Sequence, residues 1–196
     1  MANLVIGGIS GVGKSYLENE LRKSHGYEIN IKYTNRPYRP GEKGSGLIVS
    51  MSDNEFELMK AEFFPVIYQT GFKYGYKKSD IIGHDYRTIA VPVKDIIPHT
   101  DAIKCSLIPI VLIVAESNLE LLINRMKQRE DFNNKSEMEK REIMQNINER
   151  IEIAVEQIRL TKSMLKEIEK RKGRIFLIED DSTIYKEVLP FIKSLG

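Results

Sequence analysis

The segment from Gly8 to Ser15 constrains the fold of this chain most strongly, because it places glycines and a Lys-Ser pair at fixed spacing. It satisfies the pattern Gly-x-x-x-x-Gly-Lys-Ser in full. Such a loop wraps a polyphosphate with backbone N–H groups, which requires glycines where the backbone turns and approaches the anion. Lys14 is expected to reach the β- and γ-phosphates, and the Ser15 hydroxyl is a hard oxygen ligand for Mg²⁺. The residues predicted to bind the nucleotide are Gly8, Ser10, Gly11, Val12, Gly13, Lys14, Ser15 and Tyr16.

The loop needs a buried strand before it and a helix after it, and the flanking residues supply both. Leu4 to Ile6 is a short apolar run, and Leu17 and Leu21 are four residues apart, as on one face of a helix. Further apolar runs alternate with helical patterns, which predicts a three-layer α/β/α domain with a parallel sheet of about five strands. The predicted strands are Leu4–Ile6, Ile29–Tyr33, Thr88–Val93, Ile108–Val114 and Arg174–Ile178.

Two Ser-x-x-Glu patterns predict where helices begin, since a serine and a glutamate at this spacing cap each other's backbone N–H groups. One pattern spans Ser52 to Glu55 and opens a helix that ends near Glu62. The other spans Ser117 to Glu120 and opens the helix that carries Arg125. Between them, Phe64 to Tyr76 alternates in polarity and is rich in aromatic side chains, which indicates a small antiparallel ribbon.

The composition is that of an ordinary soluble protein: 196 residues, 41% hydrophobic and 30% charged, with a net charge of +2. So small a charge does not indicate nucleic acid or an acidic membrane surface. The single cysteine, Cys105, cannot form an intrachain disulfide, and the longest apolar run, Leu107 to Ala115, is less than half a membrane span. We therefore expect a cytoplasmic protein without nucleic-acid or membrane partners. The three histidines, His25, His84 and His99, show no partner spacing and are expected at the surface.

The loop-rich segment Asn35 to Ser50 contains two arginines, Arg36 and Arg39, which are three residues apart and each followed by a proline. A guanidinium group binds a phosphate through two hydrogen bonds and keeps its charge at any working pH. Two such groups suit the phosphate of a second substrate, although a solvated basic loop has the same composition. We expect a single domain over residues 1–196, with a core (1–33, 84–124 and 151–196), an acceptor-binding insert (34–83) and a lid (125–150).

Phosphate-binding loops also occur in switch GTPases, and three short motifs agree with that class on the surface. Thr34 resembles a switch threonine, Asp80 begins an Asp-x-x-Gly motif, and Asn134 begins a motif like Asn-Lys-x-Asp. In a GTPase the aspartate and the asparagine follow buried strands. Asp80 instead follows the polar run Tyr74 to Ser79, and Asn134 lies in the most polar part of the chain. The contexts therefore argue against a switch GTPase.

Three motifs in a fixed order give the sequence a family resemblance: Ser10 to Ser15, then Thr34-x-Arg36-x-x-Arg39-x-Gly41-Glu42, then Lys73 to Gly75. In order and approximate spacing they resemble guanylate kinase, a P-loop kinase of the nucleoside monophosphate kinase superfamily. The first two motifs are specific, and the resemblance covers nearly the whole chain. Weaker matches are Asn148-Glu149-Arg150 and Glu179-Asp180-Asp181.

The resemblance implies a role for each matched side chain. Arg36, Arg39 and Tyr74 would hold the phosphate of the acceptor. Arg129 and Arg150 would be lid arginines that close over the transferring phosphoryl group and act with Lys14 as the catalytic cations. The helical pattern from Arg141 to Lys172 is long and charged and offers a face for a homodimer.

The sequence departs from the family at the positions that read guanine. Those positions fall near Lys32, Pro65 and Pro92 to Lys94, and none of them supplies a carboxylate for the N–H edge of the base. The loop after Glu42 is about two residues short, so the family's phosphate-contacting tyrosine has no clear counterpart near Gly46. A site without these groups should not recognise guanine, which argues against GMP as the natural acceptor.

The resemblance thus implies an ATP-dependent, Mg²⁺-requiring kinase that transfers the γ-phosphoryl group to a phosphorylated small acceptor, in the first place a nucleoside monophosphate. The shortened loop also resembles the bacterial ribose bisphosphate phosphokinases, so a sugar-phosphate kinase is an alternative. An alternative of another class is a non-catalytic guanylate kinase-like binding module. The intact Lys14 and Ser15 favour an enzyme, because a binding module does not need them.

Overall fold

A computed structural model describes residues 2–39, 41–102 and 107–195, and Cys105 lies outside these ranges. The central strands fall on short apolar runs of the sequence, because branched aliphatic side chains pack well on both faces of a buried parallel sheet. In chain order the described strands are β1 (Asn3–Gly8), β2 (Glu28–Ile29), β3 (Lys32–Thr34), β4 (Ile48–Ser50), β5 (Ile67–Gln69), β6 (Phe72–Gly75), β7 (Arg87–Val91), β8 (Leu107–Ile113) and β9 (Arg174–Leu177).

Five strands form a parallel sheet in the order β2-β7-β1-β8-β9. Every residue of β1 is buried, and so are six of the seven residues of β8. Such uniform burial arises when helices cover both faces of a sheet. The described α-helices are α1 (Lys14–Ser24), α2 (Asp53–Met59), α3 (Ile96–Ala102), α4 (Leu119–Arg129), α5 (Glu137–Lys170) and α6 (Leu189–Ser194).

Helices α1, α3 and α5 pack against strands of the parallel sheet, and α4 packs against α5. The expected three-layer α/β/α fold with a parallel sheet of five strands is confirmed. No helix in the described ranges has both the length and the apolar character to cross a bilayer.

The capping predictions have different outcomes. Ser52 and Glu55 form the predicted capping box at the start of α2. The box predicted over Ser117 to Glu120 is wrong, because a 3₁₀ turn occupies Glu116–Asn118 and α4 begins at Leu119 without a side-chain cap. A second capping box does exist, but it joins Ser136 to Glu139 at the start of α5.

A second, smaller sheet has the strand order β4-β3-β6-β5. Its β5–β6 hairpin is the predicted antiparallel ribbon, closed by Thr70 and Gly71, which both have positive φ as a two-residue hairpin turn requires. The single strand predicted over Ile29–Tyr33 is wrong. The chain leaves the parallel sheet after β2, at the buried Asn30, and enters the second sheet as β3.

His99 is fully buried rather than exposed, so the expectation of a surface position is wrong for this histidine. Its Nδ1 atom lies 2.7 Å from the carbonyl oxygen of Asp95, one helical turn earlier. Burial lowers the pKa of the imidazole, and the hydrogen bond to the carbonyl oxygen of Asp95 opposes this effect. His84 is exposed, as expected, and His25 is half-buried.

Candidate active site

The phosphate-binding loop joins the end of β1 to the start of α1, at the carboxyl edge of the parallel sheet. Gly8 ends the strand, and a Cβ atom there would lie 2.7 Å from the carbonyl oxygen of Leu112 on β8. Gly13 precedes the helix with a φ of 111°, a left-handed conformation that favours glycine. No side chain caps α1, so its first N–H groups remain available to an anion.

Lys14 folds back on this loop. Its ammonium group donates hydrogen bonds to the carbonyl oxygens of Gly8, at 2.7 Å, and Ile9, at 3.0 Å. Burial lowers the pKa of Lys14 to about 7, and the positive charges of Lys32 and Arg129 contribute to the shift. A bound phosphate would raise the pKa of Lys14 again, because an adjacent anion favours the charged form of an amine.

A cavity of about 340 Å³ opens in front of the loop and extends to the second sheet. This volume lies near the lower end of the range for small-molecule sites. The cavity is lined by most of the side chains predicted to act on substrates. They are Ser10, Gly11, Gly13, Lys14, Ser15, Tyr16, Arg36, Arg39, Tyr74, Arg129 and Arg150.

Gly8, Val12 and Tyr16 are also among the residues predicted to bind the nucleotide. Gly8 contributes its carbonyl oxygen to Lys14, and Val12 is buried beneath the loop. Tyr16 lies at the rim of the cavity, where its hydroxyl is 2.5 Å from that of Tyr185.

Three arginines from distant parts of the chain meet at one side of the cavity: Arg39 from the loop after β3, Arg129 from α4 and Arg150 from α5. Burial lowers the pKa of both Arg39 and Arg150. Repulsion by Arg36 and Arg129 lowers that of Arg39 further, and repulsion by Arg129 and Arg39 lowers that of Arg150. Tyr74 of β6 lies against the same group. An adjoining cavity of about 920 Å³ between the insert, α4 and α5 shares all three arginines. Cations held this close together form a site for a polyanion.

Arg36 lines the cavity but is already paired. One of its terminal nitrogens donates to both carboxylate oxygens of Glu42, at 2.9 and 2.7 Å, and the other donates to the carbonyl oxygen of Pro37. Glu42 also accepts a hydrogen bond from the backbone N–H of Arg39 at 2.8 Å. Although burial alone raises the pKa of Glu42, these partners lower it overall. The pair therefore fixes the shape of the arginine loop, and Arg39 is the more accessible of its two arginines.

Arg125 is a residue of the site that the sequence does not reveal. Its guanidinium group donates to the carbonyl oxygens of Gly11, at 3.3 Å, and Val12, at 3.1 Å, and forms an ion pair with Asp181. It thus ties α4 to the phosphate-binding loop. Arg125 lies one turn before Arg129 on the same helix, and this spacing is the only signal that the sequence offers.

No protein-family model matches the chain, and no curated protein matches its sequence. Among solved structures, guanylate kinase from Anaplasma phagocytophilum superimposes with a TM-score of 0.62 over 99% of this chain and 85% of that chain, at 15% sequence identity. The chain has a guanylate kinase-like fold. At this identity the likeness establishes the fold, and it agrees with the family resemblance of the sequence motifs.

Within the guanylate kinase-like fold, the positions matched to guanine-reading groups have different environments. Lys32 and Pro92 line the cavity, whereas Pro65 is exposed and outside it. Glu18 lies on α1 one turn after Lys14 and is buried, with Thr88 donating a hydrogen bond to it at 3.4 Å. Among the described residues that line the cavity, Glu42 is the one carboxylate.

Replacing Glu42 with alanine is expected to destabilise the guanylate kinase-like fold by about 2–3 kcal/mol, because it leaves the buried Arg36 charge without its partner. Urea denaturation measures this as a lower midpoint at an unchanged slope. Glu62→Ala is the control, since its side chain is 57% exposed and its ion pair with Lys77 should be worth less than about 1 kcal/mol. Equal losses in the two variants would contradict a structural role for the Arg36–Glu42 pair.

Proposed function

We propose that the chain is an ATP-dependent phosphotransferase that moves the γ-phosphoryl group of ATP to a phosphorylated small acceptor, in the first place a nucleoside monophosphate. The observation that carries the proposal is the meeting of two anion sites in one cavity. Lys14 and the N-terminus of α1 would form one site, and Arg39, Arg129 and Arg150, which line the same cavity, would form the other. A protein that only bound a nucleotide would not need the second site.

The donor side of the cavity would bind the triphosphate. The loop N–H groups and the N-terminus of α1 would hold its phosphates, as helix N-termini do with anions. Lys14 would exchange its bonds to the carbonyl oxygens of Gly8 and Ile9 for bonds to the β- and γ-phosphates. Arg125 would keep the loop in its conformation during this exchange, because it donates hydrogen bonds to the carbonyl oxygens of Gly11 and Val12.

The acceptor side would bind a phosphate through Arg39 and Tyr74, in a loop that the Arg36–Glu42 pair keeps rigid. An oxygen of that phosphate would attack the γ-phosphorus, and the bond to the bridging oxygen would break to release ADP. The transition state spreads negative charge over the phosphoryl oxygens, so positioning and cations supply most of the catalysis. Lys14, Arg129 and Arg150 would provide those cations, and a phosphate acceptor needs no strong general base.

A divalent metal fits this site only as part of the nucleotide complex. Within residues 2–39, 41–102 and 107–195, no cluster of three His, Cys, Asp or Glu side chains is arranged to hold a metal ion. Mg²⁺ commonly binds through one or two protein oxygens, several waters and substrate phosphates. The Ser15 hydroxyl at the cavity would be such an oxygen, and the metal would neutralise charge on the β- and γ-phosphates.

The proposal assigns residues 34–83 to acceptor binding and residues 125–150 to a lid on a single domain. Closure of the lid would exclude water, which otherwise hydrolyses ATP. Two residues that line the cavity also bear on the identity of the acceptor, since Lys32 and Pro92 offer no carboxylate for a guanine N–H edge. This observation favours a sugar-phosphate acceptor as the second candidate.

The test is calorimetry followed by a screen of acceptors. We expect ATP·Mg²⁺ to bind the protein, and ADP to be released when nucleoside monophosphates or sugar phosphates are added one at a time. The screen should show phosphorylation of at least one phosphorylated acceptor and none of unphosphorylated nucleosides. Absence of ATP·Mg²⁺ binding would overturn the kinase proposal and favour a binding module. Robust turnover of GMP would overturn the argument from the missing guanine contacts.

A further inference from the structure

Lys32 presents a charged group to the cavity without a role in either anion site. It belongs to β3, and Ala90 and Pro92 line the same part of the cavity. Its ammonium lies 5.6 Å from the centre of the Tyr76 ring. The hydroxyl of Tyr76 is its hydrogen-bond partner among the described residues, which leaves donors of the ammonium for a ligand. An ammonium group has three donors, and a buried one that is not fully bonded is costly.

The surroundings of Lys32 keep it protonated. Burial by itself lowers the pKa of Lys32, but Tyr76 and Glu18 outweigh this effect and raise it above the usual value. Glu18 is only 6% exposed, and its carboxylate accepts a hydrogen bond from Thr88. The region therefore keeps a buried carboxylate and a half-buried lysine next to a cavity, where ligand contacts would compensate for their desolvation.

The other cavity cations already have partners or neighbours of their own. Lys14 belongs to the phosphate-binding loop, and Arg36 is paired with Glu42. The charge of Arg39 acts on Arg150, whereas the charge of Lys32 acts on Lys14 and Glu18, and Tyr74 acts on Lys32. Tyr74 pairs with Thr34, and Lys32 lies two residues earlier on β3 beside Tyr76, so Lys32 is displaced along the second sheet from the tyrosine that would hold the acceptor phosphate.

We propose that Lys32 is a specificity-determining residue, whose ammonium binds a hydrogen-bond-accepting oxygen at the end of the acceptor opposite its phosphate. This inference rests on the proposed function and adds the chemical class of the acceptor. Lys32 can only donate, so a carbonyl or an anionic oxygen satisfies it and an N–H edge does not. The shared chemistry is an accepting oxygen, and it has two sources: a carbonyl of a nucleobase, or a second phosphate on a sugar.

Two pairs of acceptors separate these sources, because the members of each pair differ at the distal oxygen. Inosine monophosphate carries a carbonyl that purine riboside 5′-monophosphate lacks. Ribose 1,5-bisphosphate carries a second phosphate that ribose 5-phosphate lacks. For at least one pair, we expect the wild-type protein to prefer the oxygen-bearing member by about 10- to 100-fold in kcat/KM, the effect of one charged hydrogen bond.

Lys32→Met keeps the length of the aliphatic stem and removes the ammonium group. This variant should lose the preference, mainly through a higher KM for the oxygen-bearing acceptor, while kcat/KM for the other member changes less than about threefold. Lys32→Arg should retain part of the preference, since a donor and a charge remain. Lys166→Ala is the control, because Lys166 is exposed, lies outside both cavities and belongs to neither the insert nor the lid. Circular dichroism checks the fold, and Lys32→Gln replaces the methionine variant if that variant is unfolded.

The outcomes separate this inference from the proposed function. Loss of ATP·Mg²⁺ binding in the wild-type protein would overturn the proposed function itself. ATP·Mg²⁺ binding with an unchanged preference in the Lys32 variants, or an equal loss for both members of a pair, would overturn the role of Lys32. If the wild-type protein binds ATP·Mg²⁺ but phosphorylates none of the four acceptors, the role of Lys32 is overturned for both sources of oxygen.

Discussion

Replacing Lys14 with alanine is expected to lower kcat/KM for phosphoryl transfer by at least about 10³-fold, because the variant loses the ammonium that would stabilise charge on the transferring group. The fold should remain intact. Among the described residues, this ammonium donates only to the carbonyl oxygens of Gly8 and Ile9, within its own loop, and it is repelled by Lys32. Initial rates of ADP release at several ATP concentrations measure the loss.

Lys23→Ala is the matched control for Lys14, since it lies on the same helix with its side chain 66% exposed. Its rates should equal those of the wild-type protein. Urea denaturation of both variants separates a catalytic loss from unfolding. Activity within tenfold of wild type in a folded Lys14→Ala protein would show that the loop is not the donor site.

Replacing Arg150 with alanine should lower kcat by about 10²-fold or more, which is below the usual effect of an arginine that stabilises a transferring phosphoryl group because Arg129 remains. Arg150 is held on α5 beside Arg39 and Arg129, and its Nε atom is buried without a partner in the described residues. An anion bound between Arg150 and the other two arginines would relieve their mutual repulsion.

Arg159→Ala is the control for Arg150, because it removes an arginine of the same helix whose side chain is 68% exposed. Rapid-quench measurement of a single turnover shows whether the chemical step itself slows. A loss confined to the KM of the acceptor would assign Arg150 to binding and would exclude the catalytic role proposed for it.

Most of the parallel sheet could be predicted from the sequence because β1, β7 and β8 coincide with short apolar runs next to a glycine or a helix. The run in β8 is the clearest case, since only a strand buried on both faces carries so many aliphatic side chains in succession. The phosphate-binding loop could be predicted as well, since its glycines serve the backbone geometry directly. Gly13, with its positive φ, shows this requirement.

The switch GTPase alternative could also be judged from context. Asp80 lies in a 3₁₀ turn at Lys78–Asp80, and Asn134 lies in another at Phe132–Asn134, so neither follows a buried strand. Thr34 is fully buried and donates a hydrogen bond to the carbonyl oxygen of Lys73, which joins β3 to β6. Its role is therefore structural.

Other features depend on contacts between distant residues and could not be predicted. The same Ser-x-x-Glu pattern occurs at Ser117 and Ser136, but only the second is a capping box. At the first, Asn118 donates to the carbonyl oxygen of Glu179, and a 3₁₀ turn replaces the cap. Likewise, the sequence places Arg36 beside Glu42 without indicating that the two are paired.

The contacts of Arg125 have a mechanical consequence. Its guanidinium group joins three elements at once: α4, the phosphate-binding loop and the segment after β9 that contains Asp181. The segment proposed as the lid begins on α4, so any displacement of that helix along its axis must stretch or break these bonds. Motion at the mouth of the cavity and the conformation of the loop under the triphosphate are thereby linked by one side chain.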